Sequence, residues 1–195
     1  MANHGTIKSG VYTDPANRQK DDFYATDPDA VLELLKAEKF NGGIWEPACG
    51  EGDISKTLIA TGYHVVSTDL VNRGYGDHGV DFLFCHEMLG KTKNIVTNPP
   101  FRLSLPFIEN SCQLVRRHGG KVAMFLPLSY LAGKERKKWY ENHMCQLSRV
   151  WIFSYRAATY KNGIGQPQKA NNMTNYAWFV FDYSAPKHPP VIGWV

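Results

Sequence analysis

The sequence predicts an α/β fold: a doubly wound, mostly parallel sheet with helices on both faces, closed by a late antiparallel β-hairpin. Three observations predict it. Short apolar runs bounded by glycine, proline or polar residues alternate with amphipathic stretches, as strand–helix units do. A small-residue turn containing Gly50 and Gly52 joins the first such run to a helical pattern, which is how a ligand site is built at the carboxyl end of a parallel strand. The last two apolar runs, Val150 to Phe153 and Tyr176 to Phe181, are joined by a loop and read as a hairpin.

Residues 1–22, rich in Asn, Asp, Lys and Gly, read as a flexible N-terminal arm, and residues 23–195 as a single domain. A chain of 195 residues with 43% hydrophobic content can bury one ample core. Asp27-Pro28-Asp29 has the form of a helix start, and Ala30 to Lys36 continues it with an amphipathic pattern. A strand at Ile44 follows, then the glycine turn and a helix from about Ile54 to Thr61. Strands are expected at His64 to Asp69, at Asn94 to Thr97 and at Val122, with a helix from about Leu105 to Arg117 and another near Lys134. No internal repeat is visible.

Composition excludes several classes. Met1-Ala2-Asn3-His4 lacks a basic and apolar leader, and Tyr176 to Phe181 is far too short to span a bilayer, so a cytoplasmic protein is expected. Cys49, Cys85, Cys112 and Cys145 are widely spaced, with no Cys-x-x-Cys pair, and read as buried thiols. The seven histidines form no His-x-x-x-His or His-x-Glu pattern, so no metal site is expected.

Asn98-Pro99-Pro100-Phe101, at the end of the run Ile95-Val96, carries the chemistry. An exocyclic amine on an aromatic base is a poor nucleophile because its lone pair is delocalised into the ring. A site that methylates it must accept its N–H groups and draw the nitrogen towards tetrahedral geometry. The Asn98 side-chain oxygen suits that task. Pro99 forces Asn98 into an extended conformation, and two successive prolines make a stiff turn whose carbonyls can face a pocket, with the Pro99 carbonyl as the second acceptor. Phe101 offers a face on which a planar base can stack.

The cofactor site lies upstream. Gly43-Ile44-Trp45-Glu46-Pro47-Ala48-Cys49-Gly50-Glu51-Gly52-Asp53 reads as a strand, a turn and a helix start in which Gly50 and Gly52 allow close backbone approach to a ligand. Glu51 and Asp53 would repel a pyrophosphate at that helix N-terminus. Carboxylates suit a ligand bearing an ammonium, a sulfonium and ribose hydroxyls, as S-adenosyl-L-methionine does. Asp69 ends the next strand roughly 20 residues beyond the turn, where an acid is by default a solvated strand end and, functionally, can take both ribose hydroxyls. Asp81, beside Phe82, is either a loop Asp next to a core Phe or an acceptor for a purine amine.

Together these segments resemble the S-adenosylmethionine-dependent amino-methyltransferases with an Asn-Pro-Pro-aromatic motif. They are most similar to the small adenine-N6 DNA methyltransferases carried by phages and plasmids. Phe23-Tyr24-Ala25-Thr26-Asp27-Pro28 is similar to the family's motif X, Glu46 to Asp53 to motif I, Asp69 to motif II, Asp81-Phe82 to motif III and Asn98 to Phe101 to motif IV. Phe125 to Leu131 with Lys134 and Arg136 resembles the strand and helix after the catalytic loop, and Asn175 to Phe181 the late strand.

The resemblance implies a Rossmann-like class I methyltransferase fold and methyl transfer to adenine N6 in DNA. Asn98, Pro99, Pro100 and Phe101 are then catalytic. Tyr24, Thr26, Glu46, Pro47, Ala48, Cys49, Gly50, Gly52, Asp53, Asp69, Leu70, Asp81, Phe82 and Asn98 hold the cofactor, with Thr26 and the glycine turn at its methionine end. RNA is the alternative partner. A protein glutamine methyltransferase is disfavoured by Phe101, where that family typically has Tyr, and by the short arm. An inactive cofactor- or nucleic-acid-binding module is disfavoured by retention of Asn98 to Phe101.

Net charge is only +4, so its distribution matters more than its total. The densest basic run contains Arg136, Lys137 and Lys138, interleaved with Trp139 and Tyr140, and follows Arg116-Arg117-His118. A solvated helix face is the default explanation, and contact with backbone phosphates the functional one. The loop Tyr160 to Thr174, with Lys161 and Lys169, is either a flexible surface loop or a second nucleic-acid contact. No separate target-recognition domain is expected, so recognition is expected to be short or degenerate.

Overall fold

A computed structural model describes residues 23–142, 145–155, 157, 159–161 and 174–195. The expected arm, 1–22, lies outside the described residues, as do Lys169 and most of the loop between Tyr160 and Thr174.

The alternation of apolar runs builds β1 (Tyr24–Thr26), α1 (Pro28–Ala37), β2 (Gly43–Glu46), α2 (Asp53–Ala60), β3 (Val65–Asp69), β4 (Asp77–His78), β5 (Thr92–Thr97), α3 (Ser104–Arg116), β6 (Lys121–Pro127), α4 (Lys134–Asn142), β7 (Leu147–Ile152), β8 (Thr159–Lys161), β9 (Tyr176–Asp182) and β10 (Val191–Trp194). Helix α1 starts as its sequence directs: Asp27 caps it by accepting from the Asp29 N–H at 3.1 Å, with Pro28 in the first turn.

Eight strands form one sheet in the order β10-β7-β9-β6-β5-β2-β3-β4. Only β9 runs against its neighbours, pairing antiparallel with β6 and β7. The late hairpin therefore exists, but its second strand inserts between β6 and its first. That order follows from burial: β9 is apolar on both faces (Ala177 to Phe181 are fully buried) and belongs in the sheet interior, whereas β10 exposes Val191, Ile192 and Trp194 at the edge.

Strand alternation divides the core into two layers. Trp45, Ile95, Val122, Met124, Leu126, Phe179 and Phe181 face α3. Ile44, Val96, Ala123, Phe125, Trp178 and Val180 face α1 and α2. Cys49, Cys112 and Cys145 are buried free thiols, as expected, and Cys85 is half-buried. No helix among the described residues is long and apolar enough to cross a membrane.

Candidate active site

The carboxyl ends of β2, β3 and β5 converge on a cavity of about 680 Å³. It opens at the switch point of the sheet, where β2 is flanked by β3 on one side and β5 on the other. Of the residues expected to hold the cofactor, Tyr24, Thr26, Glu46, Pro47, Ala48, Cys49, Asp53, Asp69, Leu70, Asp81, Phe82 and Asn98 line it. Gly50 and Gly52 do not. Both are in the left-handed region, at φ 57° and 86°. A Cβ on Gly50 would lie 2.2 Å from the Phe23 ring, and one on Gly52 would lie 2.4 Å from the Tyr75 ring. Both glycines thus permit close approach of the chain's own aromatic rings. Arg73 lies over Phe23 at 4.4 Å, and Lys56 over Tyr75 at 4.9 Å.

Asp69 closes β3 and ties the turn to it. One carboxylate oxygen accepts from the Gly50 N–H and the other from the Val71 N–H, each at 2.8 Å. A carboxylate has about four acceptor positions, so it retains capacity towards the cavity. Glu46, at the end of β2, is buried and accepts from the Ser55 hydroxyl. Burial pushes its carboxyl well above the usual range, against the Ser55 bonds, and the charges of Asp53 and Asp69 push it further. Burial also raises Asp53, although Lys56 opposes it. Burial, then Glu46 and Asp69, push the Cys49 thiol up to about 12, so it is not a nucleophile at neutral pH.

Phe82 belongs both to the cavity wall and to the core, edge-on to Trp45 with ring centroids 5.2 Å apart. Asp81 caps the short 3-10 helix Phe82–Phe84 through the Leu83 N–H at 3.0 Å.

Asn98 follows the last residue of β5. Its amide nitrogen donates to the Tyr24 carbonyl and to the Thr26 hydroxyl oxygen, both at 3.0 Å. Its oxygen is buried and accepts no hydrogen bond. Asn94, four residues earlier on β5, shows the contrast: its nitrogen donates to Asn41 and Gly43, and its oxygen accepts from the Lys121 N–H at 2.9 Å. A buried amide oxygen without a donor is costly, about 1–3 kcal/mol, and so marks a place where a donor is missing.

Pro100 lines the cavity, whereas Pro99 and Phe101 do not. Phe101 is stacked with Tyr24 at 5.5 Å and with Tyr176 at 5.9 Å, and Tyr176 in turn with Phe125 at 4.9 Å. Its carbonyl accepts from the Tyr130 hydroxyl at 2.9 Å. A base that stacks on Phe101 must therefore join or replace part of an existing aromatic row. Sequence reasoning missed Arg73, Arg102 and Tyr75. The aromatic and cationic character of the Arg73–Tyr75 segment, so soon after Asp69, was the available signal.

The basic run forms α4, but not as an aromatic–cation surface. Trp139 is buried, with its N–H on Glu109 at 2.6 Å, and Tyr140 is half-buried. Arg136 donates to the Ser129 carbonyl at 2.6 Å and lies 3.8 Å over the Tyr130 ring, so it braces the turn Leu128–Leu131, whose Tyr130 hydroxyl holds the Phe101 carbonyl. Lys137 and Lys138 are exposed, each 3.6 Å from a glutamate of the same helix. Lys161 is in β8, whose backbone pairs with β1.

No family profile matches the chain, and no curated protein matches it in sequence. Solved structures do match. A protein from Listeria monocytogenes designated a class I S-adenosylmethionine-dependent methyltransferase has a TM-score of 0.56 at 12% identity, over 92% of this chain and 68% of that one. One from Pyrococcus horikoshii designated an RNA methyltransferase has 0.60 at 13%, over 85% and 90%. A modification subunit assigned to a type I restriction enzyme of Vibrio vulnificus has 0.53 at 13%, over 89% and 47%. The likeness at these identities is one of fold, and that fold is the class I methyltransferase fold.

Proposed function

We propose that the chain transfers the methyl group of S-adenosylmethionine to the N6 amine of adenine in DNA. The observation that carries this reading is the Asn98 amide, which lines the cavity with its nitrogen bonded twice and its oxygen without a donor. An exocyclic amine supplies the missing donor. Asn98 accepts one amine N–H, the Pro99 carbonyl is the proposed second acceptor, and together they draw the lone pair out of conjugation; as the nitrogen–methyl bond forms, the sulfur–methyl bond would break with its electron pair left on a neutral thioether, and the surplus amine proton would pass to water.

The cavity suits the proposed cofactor. Asp69 and Asp81 give it carboxylates for cationic groups and ribose hydroxyls, Glu46 and Asp53 add carboxyls that burial biases towards the neutral form, and Leu70, Val80 and Phe82 provide an apolar wall for a purine. When bound, the cofactor supplies a methyl group already activated by a positively charged sulfur, so the protein's work is to position reactants and accept hydrogen bonds. In duplex DNA the adenine must leave the stack first, and the aromatic row at Phe101 is the proposed place that receives it.

Asp69→Ala is expected to weaken S-adenosylmethionine binding by about 1–3 kcal/mol, the scale of a lost charged hydrogen bond. It also releases the Gly50 and Val71 N–H groups, so calorimetry should be paired with a melting curve. Unchanged affinity would remove Asp69 from the cofactor site.

Affinity for DNA is proposed to come largely from phosphate contacts and so to fall steeply with salt. Exposed Lys137 and Lys138 are held only by weak surface pairs and are free to exchange them for phosphate. Replacing both with Ala should flatten the log–log salt slope by about 1 per lost contact. An unchanged slope would place the interface elsewhere.

The reading is tested by radiolabelled methyl transfer to pools of DNA, RNA and protein, followed by nucleoside analysis. Label in N6-methyladenine from DNA supports it; label confined to RNA or to protein overturns the substrate assignment.

A further inference from the structure

Asn98 has two chemically opposite ends, and the reaction uses only one. An asparagine amide turned by half a revolution about its last bond would present N–H donors where the amine needs an acceptor, and two donors repel. Something must therefore choose the orientation. The Tyr24 carbonyl does so in part, because a carbonyl can only accept, so the nitrogen has to face it. A single bond leaves the side chain free to swing about that contact.

The second anchor is the Thr26 hydroxyl, 3.0 Å from the same nitrogen and only 3% exposed. Both anchors belong to β1, a strand of three residues whose backbone pairs with β8, with Tyr24 opposite Lys161 and Thr26 opposite Thr159. Tyr24 is also stacked on Phe101, three residues after Asn98. The amide is thus fixed from outside the main sheet, by a short strand separated from it by more than seventy residues of chain.

We infer that Thr26 is a positioning residue: its buried hydroxyl, with the Tyr24 carbonyl, locks the Asn98 amide so that the oxygen is left for the substrate amine. The inference rests on the proposed role of Asn98 and assigns Thr26 a task other than contact with the methionine end of the cofactor. Val has the shape of Thr without the acceptor, and Ser keeps the acceptor without the methyl group, so the pair isolates the hydroxyl.

Two readouts are needed. In the protein without ligands, the Asn98 side-chain NH₂ signals, assigned by their loss in Asn98→Ala, should be sharp and slow to exchange with solvent. They should broaden and exchange at least about tenfold faster in Thr26→Val but not in Thr26→Ser. In methyl transfer at saturating DNA and cofactor, Thr26→Val should lower kcat about tenfold to a hundredfold, with cofactor Kd within about twofold of wild type, and Thr26→Ser should stay within about threefold. Unchanged Asn98 amide signals in Thr26→Val would overturn the inference. So would a Thr26→Val variant with full kcat, or one whose only defect is weaker cofactor binding. If Thr26 controls the amide signals but the wild-type protein methylates no amine, the positioning stands and the proposed function falls.

Discussion

Asn98→Ala is expected to lower methyl transfer by at least about a hundredfold, the scale of removing one preorganised hydrogen-bonding group from a reacting centre. Cofactor affinity should stay nearly intact, because the Asn98 amide has its nitrogen on Tyr24 and Thr26 and leaves its oxygen for the target. The substitution removes both bonds from the amide nitrogen but also the buried oxygen without a donor, so the two effects oppose each other and stability is expected to change little. Activity is compared well below the melting temperature, alongside calorimetry of the cofactor. Retained turnover would remove Asn98 from the chemistry.

Glu38→Ala should produce the largest loss of stability, at the end of the sheet where β6 begins and β9 finishes. Glu38 caps the C-terminus of α1 and is 2% exposed. It accepts from Lys121 at 2.7 Å, from Arg149 through both Nε and Nη2, and from the Trp151 N–H at 2.9 Å. Asp182 shares Arg149 at 2.7 Å. These bonds tie α1 to β6, β7 and β9. Removing the carboxylate leaves two largely buried cations with one partner, at a cost of about 3 kcal/mol, the low end for a broken buried pair because both cations keep some solvent contact. For a chain of this size that is about 6–12 °C in Tm.

The same cluster sets an acid limit. Burial pushes the Glu38 carboxyl up, but the bonds from Arg149, Lys121 and Trp151 outweigh it and hold it below its ordinary value. Asp182 is likewise held low: burial raises it, and Ser184 and Arg149 more than compensate. A carboxyl depressed in the folded state contributes stability that is present above its unfolded value and lost as pH falls through the folded one. Melting temperature should accordingly drop below about pH 4, and Glu38→Ala should lose part of that drop. A Tm profile parallel to wild type would show that the cluster contributes no acid sensitivity.

The parts of the fold legible in the sequence are those in which a local pattern and burial agree. Gly43–Glu46 is buried throughout, Ile95 and Val96 form the buried apolar pair of β5, and Asp27-Pro28 marks a helix start by its own capping chemistry. What escaped is set by partners distant in sequence. Strand β1 has three residues and exists because β8 pairs with it; β4 is two exposed residues held against Thr68 and Asp69. The place of β9 between β6 and β7 is a matter of sheet order, on which a single strand's pattern is silent.

The site divides the same way. Asp69 and Asn98 were expected at the cavity because each is a polar residue at the end of an expected strand, Asp81 because it stands beside Phe82, and all three line it. The rings that cover Gly50 and Gly52 come from Phe23 and Tyr75, partners that the local glycine pattern does not reveal. For Arg136 the sequence offered a solvated helix face or a phosphate contact, and neither reading contained its packing on Tyr130, whose hydroxyl holds the Phe101 carbonyl.

The most direct measurement follows the methyl group itself. DNA carrying heavy nitrogen at adenine N6 is incubated with S-adenosylmethionine bearing a heavy-carbon methyl, and the product nucleoside is examined by NMR. A methyl signal split by one-bond coupling to the N6 nitrogen is the predicted result. A transferred methyl without that coupling, bonded to a ring atom, to a sugar or to another base, would contradict the account.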